Sequence, residues 1–369
     1  MTSPQIEIQL IAIVVAVACA LPGVFLVLRR MAMMSDAISH SILLGIVLAF
    51  FLTEDLTSPF LVLAATLTGI LTVSLVELLN RTRLVREDAA IGLVFPLLFS
   101  IGVILIARYA GDVHLDTDAV LLGELAFAPF DRLIIFGYDI GPRALYLMSG
   151  ILVINIFFLT LFYKELKLAT FDAGMAAALG FAPGLIHYGL MSLVSITAVG
   201  AFDAVGSILV VALMIGPPAS AFLLTDRLSF MLLLSALIGA LAAVSGYWLA
   251  HLLDVSIAGS MATMVGFLFG AVFLFAPRRG LVALARRRFK QRVLFAMETL
   301  LVHLLNHEGL PEQEQECRVE HLPRHLNWSD SFVRRVLRQG EKERLMIRRN
   351  NHLRLTEEGR QKAQISMMK

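Results

Sequence analysis

Residues 33–46 read MMSDAISHSILLGI, an apolar run that carries an aspartate, Asp36, and a histidine, His40. No further charge follows until Glu54, so a segment over 34–52 has the length of a membrane span. A span is where a carboxylate and an imidazole are hardest to accommodate. At positions i and i+4 of a helix the two side chains share one face. Two readings stand side by side. The pair is a structural polar contact, with Ser35, Ser39 and Ser41 helping. Or it ligates a divalent cation, because carboxylate oxygen and imidazole nitrogen suit manganese, iron(II) or zinc. Two donors are too few for such an ion, and a two-fold axis between two copies would supply a second pair.

The rest of the chain agrees with a membrane setting. Of 369 residues 58% are hydrophobic and 16% charged, and the mean hydropathy is +0.78. These values describe a polytopic membrane protein and exclude an ordinary soluble domain. The first apolar run lacks a basic leader and a small-residue cleavage site, and reads as a span. Two cysteines, Cys19 and Cys317, form no CxxC pattern, which argues against a disulfide framework or a thiolate cluster. The net charge of +2 hides a division: from Arg278 onward 20 Lys and Arg face 11 Asp and Glu, a net of +9, whereas the preceding residues carry 11 against 18, a net of −7.

Apolar stretches predict spans at roughly 8–28, 34–52, 59–79, 89–108, 144–163, 183–201, 205–224, 229–252 and 257–276. Nine is the preferred count, within a range of eight to ten, and 118–136 is an amphipathic extra. Arg29 and Arg30, Arg81, Arg83 and Arg86, Lys164 and Lys167, Arg227 and the cluster after residue 277 follow the odd-numbered spans. The alternate loops are poor in Lys and Arg. The positive-inside rule then puts the N-terminus outside and the basic tail in the cytoplasm. "IGPPAS", 215–220, is expected to kink or unwind its span, because Pro217 and Pro218 remove backbone donors. His187 and His251 stand singly at span ends and read as interfacial or packed residues.

Four blocks in order resemble the membrane subunits of ATP-binding-cassette (ABC) importers for manganese, zinc and iron. They are "LRRMAMMSDAISHSILLGIVLA", "REDAAIGLVFPLLFSIGVILI", "FDAGMAAALGFAPGLIHYGLMSLVSITAV" and "AVGSILVVALMIGPPASAFLL", and the likeness covers roughly 8–277. The resemblance implies that Asp36 and His40 bind the metal on its path. It also implies that the Ala-rich helix within 169–183, with Asp172, Ala176, Ala177 and Gly180, docks on an ATPase. Read alone, that segment is a surface helix with a glycine C-cap, Asp172 favouring its dipole. No GxxxxGK[ST] occurs, so ATP hydrolysis is expected on a separate subunit and no enzymatic activity on this chain. The loop "GDVHLDTDAVLLGE", 111–124, carries Asp112, His114, Asp116 and Asp118. It reads as a solvated acidic loop, or as a place where metal is attracted or a delivery protein meets the chain.

The tail reads as helix, helix, helix, hairpin, helix, and resembles a winged-helix domain. Leu294, Met297, Leu301 and Leu304 recur at helical spacing, Gly309 and Pro311 end that helix, and Ser329 or Asp330 starts the one after the next. "NN" at 350–351 marks a hairpin turn. Arg334, Arg335, Arg338, Arg348 and Arg349 would face DNA if the domain bound it. Seven of the basic residues lie in 278–292, beside the membrane, where anionic lipid accounts for them, and 13 basic against 11 acidic residues remain. His303 with His307, and His321 with His325, are two further i, i+4 pairs.

The expectation is therefore an all-α polytopic membrane protein, with a transmembrane domain over 1–277, a basic juxtamembrane segment over 278–292 and a small winged-helix-like α+β domain over 293–369. As a subunit of a divalent-metal importer it would sit in a bacterial inner membrane. It would pair with a second copy or sister permease, an ATPase subunit and an extracytoplasmic metal-binding protein. It would hold no permanent cofactor, the manganese, zinc or iron being cargo. Two alternatives are a membrane-tethered, metal-responsive transcription regulator and an ion-coupled carrier without an ATPase.

Overall fold

The structure, a computed structural model, describes residues 3–54, 58–109, 125–135 and 138–368. It divides into two compact units, Met1–Arg279 and Gly280–Lys369. In the first unit α1 (Ser3–Leu28), α2 (Met33–Thr53), α3 (Pro59–Arg81) and α4 (Glu87–Tyr109) are followed by a hairpin of β1 (Arg132–Ile135) and β2 (Tyr138–Pro142). Then come α5 (Arg143–Leu161), α6 (Tyr163–Phe171), α7 (Ala173–Ala178), α8 (Pro183–Leu224), α9 (Leu228–Leu253) and α10 (Ile257–Phe275). α1 is the central helix, packed on α5, α8 and α9, while α2 packs on α3, α4 and α8. Small residues allow these close approaches: a Cβ on Gly45 of α2 would lie 2.5 Å from the Ala64 carbonyl oxygen of α3.

Among the described residues eight helices are long and apolar enough to cross a membrane. The longest, α8, has 42 residues, which as a straight rod would be about 63 Å, twice the thickness of a bilayer core. It is not straight. Gly206 has φ 76° and ψ 165°, outside the helical region. His187, near the start of α8, accepts from Arg29 at the end of α1. Met214 and Pro218, far along α8, both press on Gly23, only six residues before Arg29. A straight helix would put residues 187 and 218 about 46 Å apart. Both ends of α8 therefore lie near the C-terminal end of α1, and the chain doubles back at Gly206. Its two arms, about 34 Å and 27 Å long by helical rise, each span a bilayer core. The two arms match the stretches 183–201 and 205–224 that the sequence sets apart, within the eight membrane-length helices of the described residues.

Two local expectations are corrected. The backbone keeps helical φ/ψ through Pro217 and Pro218 rather than unwinding there, and the non-helical residue of α8 is Gly206. One freed group is accounted for by a neighbour: the Met214 carbonyl, robbed of its partner by Pro218, is covered by Gly23. The amphipathic segment at 118–136 falls partly outside the described residues, and its described end forms β1, paired antiparallel with β2, rather than a helix. Arg132 fixes that hairpin by donating to Asp139 at 2.8 Å and to Glu7 of α1 at 3.0 Å.

The second unit contains α11 (Leu281–His307), α12 (Gln313–Glu316), α13 (Leu322–His325), α14 (Asp330–Lys342), β3 (Met346–Arg349), β4 (His352–Leu355) and α15 (Glu357–Met367). Met297, Leu301 and Leu304 of α11 are buried against Val336, Met346 and Leu353. Asn350 and Asn351 both take positive φ, 48° and 67°, between β3 and β4, the backbone of a tight two-residue turn. Ser329 is the N-cap of α14 by backbone position, without a side-chain capping bond. Glu308, just past α11, accepts from Arg360 of α15 at 2.7 and 3.0 Å, and this pairing holds the Glu308 carboxyl below its ordinary value.

Candidate metal pair and coupling surface

Asp36 lies in the first turn of α2, where the free backbone N–H groups of the helix start favour an anion. One turn on, His40 Nε2 stands 3.4 Å from Asp36 Oδ1. About 30% of each side chain is exposed in the single chain (30% for Asp36, 28% for His40), so the pair lines an open face rather than a sealed core. On one flank the His40 ring meets Phe95 and Phe99 of α4, with centroids 5.9 and 6.0 Å away. These rings leave Nε2 turned toward the carboxylate. The pair is thus a carboxylate oxygen and an imidazole nitrogen converging on one point.

Ser35, Ser39 and Ser41 do not help. All three are buried, and each hydroxyl donates to a carbonyl of the same helix: Ser35 to Ala32, Ser39 to Ser35 and Ser41 to Ile38. Ser41 also accepts from Thr72 of α3 at 2.6 Å. The serines join α2 to its own backbone and to α3.

Beside the start of α2 a cleft of about 200 Å³ is lined by Met31, Met34, Val73, Glu77, Asn80 and His187. Its polar wall is a chain of ionic contacts. Arg29 donates to His187 Nδ1 at 3.1 Å and to Thr170 Oγ1 at 3.2 Å. His187 Nε2 lies 4.0 Å from Glu77, and Arg81 donates to Glu77 at 2.6 Å. His187 is therefore paired, not an isolated interfacial residue. Glu77 was open to sequence reading, being the single acid in the apolar run 59–79, and Arg81 is its i+4 partner on α3, but its contact with His187 of α8 is unreadable in line. His251, by contrast, is an exposed residue stacked on Tyr247, with centroids 6.4 Å apart.

The Ala-rich segment folds as α7. Asp172 is its N-cap, accepting from the Met175 N–H at 2.8 Å, and Gly180 takes φ +85° just beyond its end, as a left-handed terminator requires. Ala176 is buried against the chain, whereas Ala177 is exposed. Phe171, Met175 and Leu179 are exposed by 64%, 53% and 57% around it. These are the large apolar side chains that this segment leaves exposed.

Asp112, His114, Asp116 and Asp118 lie outside the described residues. Arg334, Arg335, Arg338, Arg348 and Arg349 are all exposed on the second unit. Arg335 lies over the Phe289 ring at 4.7 Å, and Arg348 donates to Asn351 at 2.6 Å.

Together the eight membrane-length helices of the described residues, the polar pair in α2 and the capped helix α7 define a polytopic helical membrane protein. The chain belongs to the ABC 3 transport family, whose model matches residues 6–276. It is 51% identical over 356 residues to the zinc transport system membrane protein TroD of Treponema pallidum (strain Nichols), covering 96% of each chain. It is 52% identical over 270 residues to the manganese transport system membrane protein MntD of Bacillus subtilis (strain 168), covering 73% of this chain and 91% of MntD. Among solved structures, PsaBC from Streptococcus pneumoniae in complex with Fab matches at 28% identity with a TM-score of 0.63, covering 77% of this chain and 96% of that one. The family match ends before the tail, whereas the likeness to TroD runs through it.

Proposed function

We propose that this chain is the transmembrane subunit of an ATP-driven importer for manganese or zinc, with iron(II) a third cargo of the same chemistry, and that Asp36 and His40 bind the ion on its way through. The observation that carries the reading is the convergence of Asp36 Oδ1 and His40 Nε2 on the partly open face of α2. It is supported by the relatives, one named for zinc and one for manganese. Two chains about a two-fold axis bring two such pairs together, giving the four donors these ions require.

The chain does no covalent chemistry, and the energy comes from a separate ATPase subunit seated on α7 through Phe171, Met175 and Leu179. Asp172 and Gly180 hold that helix's two ends. The N-terminus faces outward and the second unit faces the cytoplasm, because Arg29, Arg81 and the Asp226–Arg279 pair gather at the same ends of their helices. An extracytoplasmic binding protein delivers the metal, and the acidic loop 111–124 meets it. The second unit is a winged-helix-like extension, in keeping with two longer helices, α11 and α14, separated by the short α12 and α13, then an antiparallel hairpin and a last helix.

The test is uptake of manganese, zinc and iron by cells that express the complete system, comparing wild type with Asp36→Ala and His40→Ala at matched membrane levels. Loss of uptake of one metal in both variants is the expected result and names the cargo. Unchanged uptake sinks the assignment of the pair.

A further inference from the structure

The second unit contains a cluster of imidazoles that the transport reading does not use. Three of its elements bring one carboxylate oxygen, Glu316 Oε2 at the end of α12, against three histidines. His321 Nδ1 lies 3.3 Å from it, His325 Nδ1 3.6 Å and His303 Nε2 4.0 Å. The donor atoms of His303, Glu316 and His325 all fall within 4.8 Å of one another. His303 is buried on α11, and the ring of His307, one turn on, lies tilted beside it with centroids 4.4 Å apart.

Two features separate this cluster from a chance gathering of polar side chains. Glu316 Oε2 and His321 Nδ1 are both shielded from solvent, and neither has a hydrogen-bond partner. Leaving such atoms unsatisfied is costly, and native structures rarely do so without reason. The spacings also fit an ion. Zinc bonds imidazole nitrogen and carboxylate oxygen at about 2.0–2.1 Å in a tetrahedron, whose edges are then about 3.4 Å. The distances of 3.3 and 3.6 Å from Glu316 Oε2 are edges of that size, whereas His303, at 4.0 Å, needs an approach of about 0.6 Å to reach such an edge. His303 Nε2 now rests 3.3 Å from the Glu316 carbonyl oxygen, and ligation exchanges that contact for the ion.

We propose that the second unit carries its own metal site, formed by His303, Glu316, His321 and His325, for a zinc-like divalent cation. Three imidazoles and one carboxylate favour zinc over manganese, because imidazole suits the later, softer metals and manganese prefers an all-oxygen set. Cys317 is next in sequence but is buried in the apolar core of the unit, so the site takes no sulfur. The ion ties the end of α11 to α12 and α13, three elements with few other links in this part of the unit, and its binding stabilises the unit.

The experiment uses the full-length chain, without an affinity tag of histidines, purified in detergent and carrying Asp36→Ala and His40→Ala so that the membrane pair is silent. Zinc is the probe for stoichiometry and X-ray absorption, and cobalt(II) is the optical probe. The expected result is one zinc per chain with about four nitrogen or oxygen scatterers at ~2.0–2.1 Å, and an intense tetrahedral cobalt band that zinc abolishes. Adding Glu316→Gln or His325→Asn is expected to weaken binding by at least about tenfold, the scale seen even for indirect ligand support. No bound zinc in the Asp36→Ala/His40→Ala chain overturns the proposal. A sulfur scatterer at ~2.3 Å overturns the ligand set, as does zinc affinity unchanged by Glu316→Gln and His325→Asn. The X-ray measurement needs no tail variant, so a misfolded variant leaves the proposal testable.

Discussion

Substituting Gly206 by alanine tests the turn on which the traversal count depends. Gly206 is buried and holds φ 76°, ψ 165°, a combination that is essentially reserved for glycine. A side chain forced into it costs about 1–3 kcal/mol. Since 1.4 kcal/mol is a factor of ten, the folded-to-unfolded ratio should fall about five- to 150-fold. Gly206→Ala is therefore expected to unfold at a lower denaturing-detergent fraction than wild type, followed by the emission of Trp248 on α9. The same geometry fixes sidedness. Asp203, exposed just before the turn, belongs on the opposite face of the membrane from Thr225, just after α8. Cysteines placed at 203 and 225 should react with an impermeant thiol reagent from opposite sides, with the buried Cys19 and Cys317 silent. Labelling of both positions from one side, or an unchanged midpoint for Gly206→Ala, refutes the reversal at Gly206.

Three other outcomes follow from particular contacts. Gly23→Ala places a Cβ 2.1 Å from the Met214 carbonyl oxygen, and backbone must move. Thermal unfolding of the purified chain should show a loss of about 1–3 kcal/mol, whereas Gly266→Ala, with open space around it, should be silent. Leu179→Asp, at a residue 57% exposed, should leave stability within about 0.5 kcal/mol yet reduce co-purification of the ATPase subunit and metal uptake together. Glu308 is held below its ordinary carboxyl value by Arg360, so its contribution is present above the unfolded value of about 4.3. It is lost as pH falls through the lower folded value. Acid unfolding of the full chain, read by Trp328 emission, should show this component, and Glu308→Gln should remove it.

The sequence carried the class, and the closeness of Asp36 to His40, because both are local. A run of about 20 apolar residues must be a span wherever it occurs, and an Asp four residues before a His shares its helical face without help from tertiary contacts. The hairpin at Asn350 and Asn351 was equally legible, since two residues that tolerate positive φ between alternating strands leave little choice. Proline misled at 215–220. Its missing N–H is a local fact, but whether a helix breaks there depends on what covers the freed carbonyl, and Gly23 on another helix does so. The serines misled for the opposite reason: a hydroxyl's partner is chosen by direction, and all three found carbonyls in their own helix.

What the sequence alone determined is thus the spans, the polar pair, the capped Ala-rich helix and the separate basic tail, each set by composition or spacing within one segment. The tertiary structure decided the rest. It chose Gly206 as the turn, drew Glu77 and Arg29 to His187, and turned Phe171, Met175 and Leu179 outward. It also gathered His303, Glu316, His321 and His325 from three elements around one carboxylate oxygen. Those outcomes depend on which surfaces meet. A linear pattern fixes what each helix can bury, but a site built from residues far apart in sequence exists only once the packing of those helices has brought their side chains within a few ångströms.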